Sequence, residues 1–304
     1  TVSIPDVMVI PLWYQGRFKH NRDTPLWQVL SHILRLLQSV AILPLASRKR
    51  KRLVFVTRHN EGPPDSDNTP SMVASGLWGL VRTARIEIPF ASLMCIDTDS
   101  LLPGSDGDAT IDQMSRAASE ILGEIGLRTP EPEVVYRRGV RLTPSLHLGS
   151  TVQTQTSLSM RHTGKTSSMS DGRGAVLITG GLGGLGIVTA EALVSAGACC
   201  VVLASRSGEI KYADQGLGDR LETLRASRAK VVLERCDTSV EVEVASLLAR
   251  VRDDHGPLRA VVHAAGILAD ALITKQDAES IRRVWEPKAD GAWFLHSHTV
   301  KNDI

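Results

Sequence analysis

Apolar positions along this chain recur at two spacings, and the spacings alternate. In the first half Leu26, Trp27, Leu30, Ile33, Leu34, Leu37, Val40 and Ala41 fall at helical intervals, with Thr24 as expected cap and Pro25 at the first helical position. The run "RLVFVT" then predicts a buried strand. Val73, Leu77, Leu80, Val81 and Ala84 mark one face of a second helix, "SLMCID" another strand, and "IDQMSRAASEILGEI" a third helix. "EVVYRRGVRL" reads as a hairpin with Gly139 near its turn. No glycine-rich turn follows any strand of this half, so it predicts a sheet domain without a nucleotide site.

Thr151 to Asp171 carry ten Ser or Thr in twenty-one residues and read as a connector, because so little apolar surface cannot offset the entropy of ordering. Beyond it the alternation is cleaner. "GAVLITG", "ACCVVLASR", "KVVLERCD" and "RAVVHAAG" predict four strands. Between them lie helical runs: Leu185 to Ala196, ended by Gly197; "RLETLRASRA"; and "TSVEVEVASLLARVRDDHGP". In the last of these Thr238 and Glu241 have capping-box spacing, and Gly256 and Pro257 close the helix. "TKQDAESIRRVW" and "PKADGAWFLHSHT" are helical as well. Strands separated by helices in this order imply an α/β fold with a doubly wound parallel sheet, its ligand at the carboxyl ends of the strands.

Composition changes this picture little. The 304 residues suffice for two modest cores, 42% hydrophobic and 22% charged residues are ordinary for a globular chain, and a net charge of +2 gives no reason to expect nucleic acid as a partner. The basic run Arg48 to Arg52 reads as a solvated connector before a strand, or as a nuclear-import or phosphate-binding patch. Cys95, Cys199, Cys200 and Cys236 lie in or beside apolar strand-like runs without metal-ligand spacing, so reduced core thiols, a cytoplasmic setting and no metal are expected. No apolar run reaches the roughly 18 residues of a membrane span. The first residues lack a signal-peptide pattern and an initiator Met, which predicts a piece of a longer chain.

The chemistry concentrates in "VLITGGLGGLG", which holds five glycines between Gly180 and Gly186. Gly181, Gly183 and Gly186 match G-x-G-x-x-G between a strand and a helix: a tight turn, close approach of backbone to a pyrophosphate, and close helix–strand packing. The helix then presents unpaired N–H groups to phosphate oxygens. Thr179, Gly180, Leu182, Gly184 and Leu185 complete this candidate cofactor turn. The second strand ends in Ser205 and Arg206 with no carboxylate for a free ribose 2′-OH, and a guanidinium there suits a 2′-phosphate, so NADPH is expected. Arg206 also reads as a plain loop charge. Cys236 and Asp237 end the third strand, where Asp237 either meets an adenine amino group or caps the next helix. His263, Ala264, Ala265 and Gly266 end the fourth; the small residues let a cofactor pass, and His263 reads as a packing and hydrogen-bonding residue rather than a catalyst.

"VLITGGLGGLG", "LASRSG", "CDTS", "VVHAAGILAD" and "WEPKADGAWFLH", in that order, resemble the ketoreductase domain of type I polyketide synthases and animal-type fatty acid synthases, of the short-chain dehydrogenase/reductase superfamily. "SGLWGLVRTARIEIP" resembles a helix of the structural subdomain preceding the catalytic one. The resemblance implies a truncated Rossmann-like structural subdomain over 1–150, a linker over 151–171 and an NADPH-binding, Rossmann-like catalytic subdomain over 172–304, incomplete at its C-terminus. It implies NADPH-dependent reduction of a β-ketoacyl thioester carried on the phosphopantetheine of an acyl carrier protein, among neighbouring synthase domains. Lys288 takes the place of the catalytic lysine, and Leu268 and Asp270 fall in the stereochemical loop, Asp270 implying the D-configured alcohol.

The family's Ser and its Tyr and Asn are not matched: the three tyrosines are Tyr14, Tyr136 and Tyr212, none suitably placed. The expectation is a fragment that keeps part of the NADPH site, leaves a sheet edge unpaired and does not reduce a ketone alone. Two alternatives remain, a free-standing dehydrogenase of the superfamily and a non-catalytic, reductase-derived scaffold module.

Overall fold

The computed structural model describes residues 5–12, 26–58, 72–99, 111–127, 130–146, 174–210 and 216–300. Thr24, Pro25, the 151–171 connector, Tyr14 and Tyr212 lie outside them. The chain divides into two units, Thr1–Ser150 with Asp270–Arg282, and Thr151–Ala269 with Arg283–Ile304.

The first unit is built on β1 (Val7–Pro11), β2 (Arg52–Arg58), β3 (Ser92–Thr98), β4 (Glu133–Arg137) and β5 (Val140–Leu142), in that spatial order. The first four are parallel and β5 returns antiparallel to β4. β1 has no counterpart among the expected strands; its five residues alternate between exposed and half-buried, too short a pattern to stand out. The β4–β5 turn has positive φ at both Arg138 (53°) and Gly139 (76°), the conformation whose twist matches a hairpin. Residues 53 to 57 of β2 and 93 to 98 of β3 are buried on both faces, hence the unbroken apolar runs 53–56 and 93–96 within them.

The unit's helices are α1 (Leu26–Ala41), α2 (Leu45–Arg48), α3 (Met72–Glu87) and α4 (Ile111–Gly126). α4 packs Ala117 and Ile121 on Val54, Val56, Met94 and Ile96. The same helix buries two carboxylates, each with partners: Glu120 accepts from Thr98 Oγ1 (2.7 Å), and Glu124 accepts from Tyr136 Oη (2.7 Å) and from Arg141. The basic run is not merely solvated. Arg48 donates to the Ala41 and Leu43 carbonyls at the end of α1, Arg52 donates to the Ile125 carbonyl in the last turn of α4, and Lys51 pairs with Asp6. Cations at helix C-termini satisfy orphan carbonyls and the helix dipole together.

The Asp270–Arg282 segment holds a 3₁₀ turn, Ile273–Lys275. Gln38 Nε2 donates to the Ile273 (2.9 Å) and Gln276 (2.7 Å) carbonyls, Glu87 Oε2 accepts from the Ile273 amide (2.6 Å), and the Ile273 side chain is buried.

The second unit carries β6 (Ala175–Thr179), β7 (Cys200–Ser205), β8 (Lys230–Arg235) and β9 (Leu258–His263), all parallel, in the order β8-β7-β6-β9. Successive strands step outward from β6 to one side and then β9 crosses to the other, so a topological switch point lies between β6 and β9. Both faces are covered. Leu177, Val202 and Ala204 pack on α7 (Glu241–His255) and α9 (Gly291–Thr299) through Leu247, Leu248, Phe294 and Leu295. Val176, Ile178, Val201 and Leu203 face α5 (Gly184–Ser195) and α6 (Leu217–Arg225) through Ile187, Ala190, Leu221 and Leu224. This is a doubly wound α/β sheet.

Two expectations need correction. The capping box at Thr238 and Glu241 does not form: α7 begins two residues later than that spacing implies, with Val240 as N-cap, Glu243 Oε2 reaches back to the Asp237 amide (2.8 Å), and Thr238 Oγ1 donates elsewhere. Cys199 is exposed, because it stands in the bend before β7 begins; the other three cysteines are buried. Burial pushes the Cys95 thiol up to about 12 and that of Cys236 to about 11.

Candidate functional site

The carboxyl ends of β6, β7, β8 and β9 gather the sequence-marked residues of the second unit. β6 ends at buried Thr179, and Gly180 turns the chain with φ 66°. A Cβ on Gly180 would stand 2.6 Å from the Ala264 carbonyl oxygen beyond β9. On Gly181 it would stand 2.7 Å from the Leu203 Cα of β7, and on Gly186 2.4 Å from the Gly180 carbonyl oxygen. All three contacts are with backbone, so nothing can swing aside. The left-handed conformation therefore falls to Gly180, whereas Gly181 is required by its approach to β7.

The open side of the turn is Gly183 and Gly184. A Cβ on Gly184 would meet nothing within 4 Å, and one on Gly183 only the Gly180 oxygen at 3.3 Å. Gly183 caps α5 in extended conformation, and the Ile187 amide is the first to bond back, to the Gly183 carbonyl (3.0 Å). The amides of Gly184, Leu185 and Gly186 thus precede the first back-bonding donor of α5, at the stretch where added Cβ atoms would meet the least. Leu185 is exposed, while the Leu182 side chain is buried beside Ile178 and Ile187 and can offer only its backbone. A turn packed on backbone at Gly180, Gly181 and Gly186, followed directly by the free amides of a helix start, fits a diphosphate.

Gly181 N–H donates to the Ala204 carbonyl (3.0 Å), which ties the turn to the end of β7. There Ser205 Oγ accepts from the Gly208 amide (3.0 Å), and Arg206 is exposed, its carbonyl held by Arg235 Nε (3.1 Å). Its guanidinium is bonded to no group among the described residues. At the end of β8 the Cys236 side chain packs in the core with Ala204 and Leu248, so only its backbone can face a ligand. Asp237 Oδ1 accepts from the Ser239 amide (3.0 Å) and hydroxyl (2.6 Å). Asp237 does not cap α7, whose N-cap is Val240; its carboxylate instead closes a local turn on Ser239.

At the switch point the Ala264 amide donates to the Thr179 carbonyl (3.0 Å) and the Ala265 amide approaches Thr179 Oγ1 (3.4 Å). His263, half-buried, sets Nδ1 2.7 Å from Thr179 Oγ1 and Nε2 3.0 Å from the Pro287 and 3.3 Å from the Lys288 carbonyl oxygens. Burial pushes its imidazole below the ordinary value, while the Lys288 and Pro287 carbonyls pull the other way.

Lys288 rides on a π turn, Glu286–Asp290, between α8 (Ala278–Trp285) and α9. Pro287 has no N–H to give to a preceding carbonyl, and the widened turn accommodates that loss. Trp285 Nε1 donates to Asp290 Oδ1 (2.9 Å) across the bulge, and Thr238 Oγ1 reaches the Pro287 carbonyl (3.4 Å). The Lys288 stem lies over Gly266. The site roles of Pro287 and the Trp285–Asp290 pair escaped the sequence reading, in which Thr238 is only a cap; Pro287 between two helical runs was the available signal. Leu268 is 76% exposed, and Asp270 is the first residue of the segment assigned to the first unit.

Residues 174–304 match the KR domain family, and residues 1–146 match the family described as polyketide synthase extender module SpnB, Rossmann fold domain. A naringenin synthase of Pestalotiopsis fici is 33% identical over 269 residues, which are 88% of this chain and 9% of that protein. Polyketide synthase GfsE of Streptomyces halstedii is 34% identical over 254 residues, 83% of this chain and 6% of that protein. The chain therefore spans a small part of the curated relatives it matches. The solved ketoreductase from the first module of phoslactomycin biosynthesis in Streptomyces superposes over 98% of this chain and 59% of its own, with TM-score 0.67 and 23% identity. A ketoreductase domain from the bacillaene assembly line does so over 98% and 67%, with TM-score 0.64 and 20% identity.

Proposed function

Since this chain belongs to the ketoreductase-domain family of type I polyketide synthases, within the short-chain dehydrogenase/reductase superfamily, we propose that it forms the NADPH-holding part of a β-ketoacyl reductase. Ketoreductase domains of polyketide synthases are oxidoreductases, and a Rossmann-type ketoreductase uses a nicotinamide cofactor. The substrate is a β-ketoacyl thioester on the phosphopantetheine of an acyl carrier protein, supplied among neighbouring synthase domains.

When bound, NADPH supplies the hydride that turns the β-carbonyl carbon into an alcohol carbon. The chain's own residues do the holding. Gly184, Leu185 and Gly186 amides take the diphosphate, and Ser205 and Arg206 meet the 2′-phosphate, where a fork of donors outbinds a point charge. Ala264, Ala265 and Gly266 let the cofactor lie against backbone. Lys288 brings its ammonium to the ribose hydroxyls. The proton needed at the alkoxide oxygen calls for a phenol, and Tyr136 is a poor donor for it: it already donates to Glu124, and burial with that carboxylate pushes it up to about 12. Asp270, kept from the stereochemical motif, assigns the D-configured alcohol to the assembled reductase.

The observation that carries this reading is the glycine turn, crowded by backbone at Gly180, Gly181 and Gly186 and open at Gly183 and Gly184. Fluorescence titration of the chain with NADPH and NADH tests it. Saturable binding with NADPH preferred supports the reading; equal affinities remove the 2′-phosphate assignment, and no binding of either removes the site.

A further inference from the structure

We propose that His263 is a positioning residue, held neutral with its proton on Nε2, that fixes the Lys288-bearing π turn to the nucleotide turn. The inference rests on the proposed roles of the glycine turn and Lys288, and goes beyond them.

The hydrogen-bond inventory sets the tautomer. Two carbonyl oxygens, of Pro287 and Lys288, lie within reach of Nε2, and a carbonyl can only accept. Nε2 must therefore carry a proton. On the other side Thr179 Oγ1 has one proton to give, and the Ala265 amide approaches that oxygen as a donor. That oxygen can accept twice, so the choice falls to the ring: burial disfavours a second proton on His263, Nδ1 stays bare beside Nε2–H, and the Thr179 hydroxyl donates to it. The result is a directed chain from the Ala265 amide through Thr179 and His263 to the Pro287 carbonyl. One end is the strand terminus from which the glycine turn starts, and the other is the backbone of the lysine.

Position follows from the same contacts. A π turn holds its carbonyls less tightly than an α-helix, so its register needs outside support. His263 and Thr238 supply it by converging on one oxygen, that of Pro287. Gly266 leaves room for the Lys288 stem to extend back over the end of β9. Without His263 the turn would lose the strand-side anchor, and the ammonium its address.

A double-mutant cycle on the full chain, read as NADPH affinity by fluorescence titration, tests this. Lys288→Ala and His263→Ala each weaken binding, and in the Lys288→Ala background the His263 change costs little more, a coupling of roughly threefold to tenfold. His263→Gln, which keeps a donor near the Nε2 position, restores much of the affinity. Equal losses in both backgrounds overturn the inference and leave the Lys288 reading standing. A Lys288→Ala chain that binds NADPH as the parent does overturns both. Long-range ¹H–¹⁵N correlation on the unmutated chain gives an answer that needs no variant to fold: the Nε2–H tautomer supports the relay, and Nδ1–H or an imidazolium at neutral pH overturns it.

Discussion

The Cε of Lys288 lies 2.7 Å from the point where a Cβ on Gly266 would stand, with its Cγ at 3.3 Å. The neighbours of Gly266 there are the methylenes of one flexible side chain, and no backbone is in the way. Gly266→Ala is thus expected to leave stability within about 0.5 kcal/mol, because the lysine can swing aside. The same swing moves the ammonium, so NADPH affinity falls. Thermal melting beside a titration separates the two; unchanged affinity would show that the ammonium takes no part in binding.

The glycine turn makes the opposite case. A Cβ on Gly186 would press on the Gly180 oxygen at 2.4 Å and the Gly181 Cα at 2.6 Å, both backbone. Gly186→Ala is expected to destabilise the second unit by roughly 1–3 kcal/mol. Gly184→Ala, two residues earlier in open space, holds stability or raises it by up to about 1 kcal/mol. Denaturant unfolding of the two variants decides this, and equal losses would refute the crowding argument.

Arg206 stands exposed at the end of β7 with its guanidinium free among the described residues. Arg206→Ala is expected to weaken NADPH roughly tenfold to a hundredfold and NADH hardly at all, the cost of one charge-assisted bidentate contact. Parallel loss for both cofactors would move Arg206 away from the 2′-phosphate.

Glu133 in the first unit accepts from Arg82 Nε and Nη2, both at 2.8 Å, and from Arg85 Nη1 at 2.5 Å. The Arg82 hydrogen bonds, then those of Arg85 and both charges, hold its carboxyl below the usual range against the pull of burial. A lowered folded value means the stabilisation is complete above the unfolded value of about 4.3 and is lost as pH falls through the folded one. Glu133→Gln should lose roughly 1–3 kcal/mol at pH 7 and show a flatter acid limb below the unfolded value of about 4.3. An acid limb as steep as the parent's would count against this pairing.

What the sequence made legible was whatever depends on neighbours along the chain. The glycine turn, the strand–helix alternation around it and the ends of α5 and α7 at Gly197 and Gly256 all appear where the local pattern puts them. What it hid depends on partners that arrive from elsewhere. Glu120 and Glu124 look like a solvated helix face until Thr98, Tyr136 and Arg141 come up beside them. Arg48 and Arg52 look like a charged connector until the carbonyls of Ala41, Leu43 and Ile125 converge on them. Thr238 has capping-box spacing with Glu241, yet it serves Pro287, forty-nine residues away. At the site, the strand end marked His263 and the family resemblance marked Lys288, and only the fold joins them through the π turn.

The segment Asp270–Arg282 has a practical bearing on synthase engineering. The first unit is discontinuous in sequence, since it takes back thirteen residues long after its main span has ended. A chimaera joined at a single point in the 151–171 connector would therefore exchange one unit together with a splint that belongs to the other. Gln38 and Glu87 would face a foreign 3₁₀ turn, and the seat of Ile273 would be filled by whatever residue the donor brings. Graft boundaries that respect three crossings, at 150/151, 269/270 and 282/283, keep each unit with its own parts.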